Sequence, residues 1–301
     1  MNSRLIVDDS SVGLRLDLFL VKNLAGHSRS QIQKLIKSGN ITVNDEKISA
    51  HHWLKKGDAI NIVFLKERGR ESTPSIEIIK ETPEFIVINK PAGIVAHPDS
   101  RHKSGTVVDW LLEKYLEIKN VGDDISRPGI MHRLDKEASG LMVIARTKPS
   151  FENLKEQFQK RLIEKEYLIL AHDPDLPDSG EIERPLGRSR FGKIVAQTHG
   201  TEKTKTAHTL FEVLERRKNF ALISVKTKTG RTHQIRVHFY SIGHSVAGDK
   251  LYKQKQTKGK INPPRLFLHA AKLSFTDISG ERQKFQLPLA DDLQDFWDSL
   301  K

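Results

Sequence analysis

The stretch "GIMHRLDKEASGLMVIA", Gly129–Ala145, decides how this chain is read. Two apolar segments flank His132, Arg133, Asp135, Lys136 and Glu137. "GLMVIA" is a continuous apolar run of the kind that forms a strand buried on both faces. The polar cluster ahead of it then belongs to a loop at the mouth of that strand, with Ser139 and Gly140 expected to make the turn. Rigid scaffolds often hold reactive side chains in such loops. Asp135 has Arg133 and Lys136 close by, and opposite charge keeps a carboxylate ionised. That suits a nucleophile or a base, not a general acid. The plainer alternative is an Asp that only shapes a surface turn.

Working outward, the pattern predicts an α+β chain. "EFIVINK" reads as a strand ended by Pro91 and Gly93, and "TVVDWLLEKYL" as a helix. "SFENLKEQFQKRL" reads as an amphipathic helix with Phe151, Leu154, Phe158 and Leu162 inward. "EYLILA", "TLFEVLE" and "FALISVKTKTG" read as further strands. "THQIRVHFYSIG" suits a short helix capped by Thr232 and ended by Gly243. Strands and helices do not alternate regularly, so an α+β fold fits better than a doubly wound sheet.

Residues 12–65 form a separate small module. Leu16, Phe19, Leu20 and Leu24 have helical spacing, and "HSRSQIQKLIKSG" predicts a second helix with a buried stripe of Ile32, Leu35 and Ile36. Ser28 or Ser30 is its expected N-cap and Gly39 its end. Arg29, Lys34 and Lys37 point away from the stripe. "NITVND" and "KISAHHW" read as short strands around an Asn44–Asp45 turn. Residues 66–76 read as a polar linker, leaving 77–301 as the larger domain.

Of 301 residues, 50 are Lys or Arg and 38 are Asp or Glu, a net charge of +12. Such an excess favours a polyanionic partner. There is no cysteine, hence no disulfide and no thiolate metal site. The first residues lack a signal-peptide apolar core, and no run approaches the roughly 18 apolar residues of a membrane helix. A cytoplasmic protein without membrane contact is expected. "GRSRFGKI", Gly187–Ile194, nearly matches a phosphate loop, but Ile194 stands where Ser or Thr should bind magnesium. His51–His52 and His233/His238 lack metal-ligand spacing, so no metal is expected. Asp135 and Glu137 are too close in sequence to act as a glycosidase pair from separate elements.

"RPGIMHRLDKEASGLMVIART" resembles the H-R-L-D-x-x-T-S-G signature of the RluA/RluD family of RNA pseudouridine synthases. "EFIVINKPAGIVAHP" and "TGRTHQIRVHFYSIGHSVAGDKLY" resemble two further motifs of that family, in the right order. "RLDLFLVKNLAGHSRSQIQKLIKSGNITVNDEKI" resembles the S-four-type RNA-binding domain that many members carry. One departure is Ala138, where the family has Thr. The resemblance implies that the sheet of the larger domain is mixed and largely antiparallel. In activity it implies an isomerase that needs no cofactor and acts on structured RNA, with large-subunit ribosomal RNA ahead of transfer RNA. It implies that Asp135 is the catalytic Asp, attacking either base or sugar. It implies that Tyr167 stacks on the target base, with assistance to proton removal as a further role, that Arg236 pairs with Asp135, and that Arg133 helps hold the uridine out of its stack. Arg231 would support RNA contact within the C-terminal motif, and Arg29, Lys34 and Lys37 would contact phosphates. The competing readings are a catalytically idle RNA-binding or ribosome-assembly protein, and a methyltransferase. The latter lacks a Gly-rich cofactor loop.

Overall fold

The computed structural model describes residues 2–24, 29–63, 73–99, 102–172, 175–197, 204–254 and 261–300. They fall into two compact units, Met1–Glu71 and Ser72–Lys301. Most of the expected linker, 66–72, lies outside the described residues, and 73–76 is irregular.

The first unit contains β1 (Asn2–Ile6), α1 (Leu16–Asn23), α2 (Arg29–Lys37), β2 (Ile41–Val43) and β3 (Ala59–Val63), with strand order β1-β3-β2. Both pairings are antiparallel. Leu16, Leu20, Ile32 and Ile36 pack with Ile41, Ile60 and Ile62 into one apolar core. Ser28 lies outside the described residues, and Ser30 is already inside α2. Gly39, at φ +77°, ends α2 as expected, and Asn40 N–H closes the turn on Leu35 O at 3.0 Å. Asn44 and Asp45 both have positive φ, the backbone of a tight hairpin turn. "KISAHHW" is not a strand. Its Ala50 and His52 carbonyls accept the N–H groups of Asp17 and Leu16 at 3.2 and 2.8 Å. The segment thus satisfies the open N-terminus of α1, which has no side-chain cap. The strand β1 was not anticipated.

The second unit is built on one nine-stranded sheet. In chain order come β4 (Glu77–Glu81), β5 (Phe85–Lys90), α3 (Val107–Lys114), β6 (Ser139–Ala145), α4 (Lys148–Gln159) and β7 (Glu164–His172). Next are β8 (Ser179–Glu183), β9 (Leu186–Arg188), β10 (Ile194–Ala196), β11 (His208–Arg217), β12 (Phe220–Thr227) and α5 (Gln234–Ser241). The last are β13 (Leu268–Thr276), β14 (Arg282–Gln286) and α6 (Asp291–Asp298). The sheet order is β4-β5-β6-β13-β7-β12-β11-β8, with β14 also on β13. Only β6–β13 is parallel, and only His269–Ser139 and Ala270–Gly140 pair across it. Every residue of β6 is buried, as its apolar run predicts. At Gly140, φ is +111°, and a Cβ would stand 2.4 Å from Ala270 O, so glycine is required at this seam.

Thr106 starts α3 with a reciprocal capping box to Asp109. Thr147 caps α4, which buries Phe151 and Leu154. Leu162, expected inward, lies past the end of α4 and is exposed. "GRSRFGKI" falls across the β9–β10 hairpin, with no helix after it, so it is no phosphate loop. Among the described residues no helix is long and apolar enough to cross a membrane.

Candidate active site

A cleft of about 470 Å³ opens in the second unit, lined by the Asp135 loop, the end of α4, β7, and the segment from Thr227 into α5. Seven Arg and Lys side chains line it, with Asp135 the only carboxylate among the described lining residues. Asp135, Tyr167, Arg236, Arg133 and Arg231 all reach this one cleft.

The Asp135 loop is pinned at both ends. Gly129 O accepts from Ala145 N–H at 2.9 Å. His132 folds back onto β6, where its Nε2 accepts from Val143 N–H at 3.1 Å and its ring stacks on Phe158. Burial drives its pKa down to about 3, with Lys165 nearby adding to the fall, so the ring is neutral and serves as an acceptor. The turn is at Lys136–Glu137, not Ser139–Gly140. Ala138 N–H closes it on Asp135 O at 3.1 Å, while Ser139 and Gly140 already pair with β13. Lys90, fully buried at the end of β5, ties down the same loop. Its Nζ donates to Pro91 O, Ile94 O and Lys136 O at 2.7, 2.8 and 3.3 Å.

Arg236 bridges two carboxylates. Its Nη1 donates to Asp135 Oδ2 at 3.0 Å, while Nε and Nη2 form a fork to Asp249 at 2.7 and 3.0 Å. Asp249 is fully buried and also accepts the N–H groups of Leu251 and Tyr252. Burial works against the Arg236 charge, but Asp249 and Asp135 hold its pKa above the ordinary value. The helix carrying it starts differently from expectation. His233, not Thr232, occupies the N-cap, in the left-handed conformation at φ 56° and without a side-chain cap. Its Nδ1 lies 3.0 Å from the Tyr252 hydroxyl, and its Nε2 4.0 Å from Asp135 Oδ1.

Tyr167 projects from β7 into the cleft, and burial raises its phenol pKa to about 12. Arg133 is exposed at the rim, with Nη1 3.4 Å from His97 Nε2. Arg231 Nε donates to Thr206 O at 3.1 Å. In the first unit, Arg29 is not a wholly free cation. Its Nε donates to buried Asp17, as do Arg15 and Gln33. Lys37 is exposed, and the Lys34 side chain lies outside the described residues.

Three residues at the site were not singled out from the sequence, Asp249, Lys90 and Lys165, and His233 was weighed only as a metal ligand. Asp249 and His233 stand inside the quoted C-terminal motif, and Lys165 is two residues before Tyr167 on the same strand face. Asp249 carries no spacing signal, because its partner is fixed only by the fold. Among the described residues, no group of three His, Cys, Asp or Glu side chains could hold a metal.

The family model for RNA pseudouridylate synthase matches residues 84–241, and that for the S4 domain matches 14–60. An uncharacterized RNA pseudouridine synthase of Bacillus subtilis is 33% identical over 291 residues, spanning 95% of this chain and 94% of the relative. Ribosomal large subunit pseudouridine synthase D of Neisseria meningitidis is 37% identical over 297 residues, 93% of this chain and 77% of the relative. The solved structure of human RNA pseudouridylate synthase domain containing 1 shares the fold, with a TM-score of 0.58 at 23% identity. It covers 76% of this chain and 96% of the human one.

Proposed function

The chain belongs to the RNA pseudouridylate synthase family, and from that premise we propose that it isomerises uridines of large-subunit ribosomal RNA with Asp135 as the attacking carboxylate. The observation that carries this reading is the cleft itself, where one carboxylate stands among seven cationic side chains. The reaction breaks the N1–C1′ bond, turns the base and joins C5 to C1′. Nothing is oxidised and no group is donated, so no cofactor is required.

An enzyme that works on a stacked base must first take it out of the helix. Tyr167 offers an aromatic face for the extruded uracil, and a phenol titrating near 12 stays protonated at neutral pH. Stacking therefore suits it better than proton removal. Arg133, exposed at the rim, suits filling the gap left in the RNA, and Arg231 suits a phosphate. Arg236 Nη1 donates to Asp135 Oδ2 and so aims the carboxylate. Residues 12–65 act as the RNA-binding module through Arg29, Lys34 and Lys37, 66–76 as the linker and 77–301 as the catalytic domain. The ribosomal substrate is supported by the large-subunit synthases among the relatives, and it would place the protein in the cytoplasm. The direct test is Asp135→Ala, assayed for pseudouridine in large-subunit RNA. Loss of product with RNA binding retained is expected; full conversion by the variant would refute the assignment.

A further inference from the structure

We propose that Lys165 receives the negative charge of the target uracil as its bond to the ribose breaks. The inference rests on the isomerisation described above and adds a second group that touches the reacting base.

On β7 the side chains alternate between two faces. Glu166 is paired, with Lys272 at 2.7 Å and Lys226 at 3.9 Å. Glu164 has Arg282 at 3.2 Å. Lys165 shares its face with Tyr167, and both line the cleft. Its Nζ sits 5.5 Å from the Phe158 ring centroid. It has no carboxylate and no hydrogen-bond acceptor among the described residues. Asp135 does not fill this need: one of its oxygens is bound by Arg236 and the other faces His233. A Cβ placed at Gly230 would lie 3.6 Å from Nζ, so the ammonium reaches the opposite wall at a residue without a side chain. Lys165 is half-buried, and a cation partly withdrawn from water without an acceptor is costly unless its partner arrives with the ligand.

The reaction supplies such a partner. When N1–C1′ breaks, the electron pair stays on the uracil, and the charge spreads onto the ring carbonyl oxygens. If Asp135 adds to the base instead, a carbonyl oxygen becomes negative one step earlier, as the carboxylate adds to the ring, and the same donor serves it. With the ring against Tyr167, a carbonyl edge of the base falls beside its strand neighbour. Lys165 donates a hydrogen bond to that oxygen and keeps its proton. The charge disappears once C5 has joined C1′, C5 has lost its proton and N1 has gained one. A preorganised donor aimed at charge that develops only during reaction lowers the barrier more than it improves binding.

The test compares the full-length wild type with Lys165→Met and Lys165→Arg on the same RNA. Lys165→Met removes no hydrogen bond of the fold and should unfold no earlier than the wild type. Its kcat should fall about 10²–10³-fold, the usual loss of one such donor. KM and the salt dependence of RNA binding should stay unchanged. Burial lowers the Lys165 pKa, so wild-type activity should fall on the alkaline side below the ordinary lysine range, and Lys165→Arg should lack that fall. This profile decides the matter by itself if Lys165→Met does not fold. Unchanged kcat in Lys165→Met overturns the proposal. So does a raised KM with a shallower salt slope, which would mark a phosphate contact. Either result beside an active wild type leaves the parent reading intact. A wild type that makes no pseudouridine in any RNA refutes both.

Discussion

Asp249→Asn tests how the site is held. Asp249 accepts four hydrogen bonds, two from Arg236 and two from the backbone of Leu251 and Tyr252. Asn keeps the size and one carbonyl oxygen but loses the charge and the fork. Removing one partner of a buried ion pair usually costs about 3–5 kcal/mol. Arg236 still has Asp135 here, so the lower end applies, about 3 kcal/mol. For a domain of this size, each kcal/mol lowers Tm by about 2–4 °C, so about 6–12 °C is expected by thermal unfolding. The guanidinium should also swing toward Asp135. A misplacement on the scale of an ångström can cost about a hundredfold in rate, so kcat should fall toward that level with RNA binding little changed. The double change Asp135→Asn with Asp249→Asn should be non-additive by about 0.5–3 kcal/mol, because one guanidinium serves both carboxylates. A Tm loss under about 2 °C together with unchanged kcat would show that something other than Asp249 orients Arg236.

Gly140→Ala should destabilise the second unit by about 2–6 kcal/mol, from a strained positive φ plus a clash with the Ala270 backbone; denaturant unfolding reads it. Burial would raise the Asp17 pKa, but hydrogen bonds from Gln33, Arg15 and Arg29 hold it down to about 2. Its folded pKa lies below its unfolded one, so its stabilisation is full above about pH 4 and is lost as pH falls toward 2. Asp17→Asn should therefore be less stable near neutrality and show a flatter acid limb; a wild-type acid limb in that variant would contradict the assignment. Removing residues 1–65 should weaken RNA binding and lower its salt slope by about 0.7–0.9 for each phosphate that the first unit neutralises, while the rest stays folded. An unchanged slope would rule out phosphate contact by the first unit.

The strand after the Asp135 loop was legible because its signal is local: the apolar run predicts β6. The sequence neighbours expected beside the carboxylate turn elsewhere, Arg133 to His97 and Lys136 to His102, and the cation that meets Asp135 is Arg236. The pairing of Arg236 with Asp135 came through family resemblance, since a hundred residues separate them and no periodicity links them. Asp249 was missed for the same reason. The strand at Leu268–Thr276 went unnamed although its residues are mostly buried, because its role as the centre of the sheet depends on partners made much earlier in the chain. "KISAHHW" was misread as a strand because its β-like composition says nothing of the helix end that takes its carbonyls. Ala138 stands where the family has Thr. It is 1% exposed within the apolar core, and its backbone alone closes the turn.

The position of β13 has a consequence for the order of assembly. The strands β4, β5 and β6 form one ribbon, and β7, β12, β11 and β8 form another; β13 lies between them. Asp135 belongs to the first ribbon and Tyr167 to the second. During synthesis both are made about a hundred residues or more before the strand that seals their ribbons edge to edge. A chain stopped short of Leu268 should hold two further open sheet edges, at β6 and β7, and no closed cleft. The site is thus completed nearly last, by a strand that contributes none of its charged residues, and a truncated product would be aggregation-prone instead of prematurely active.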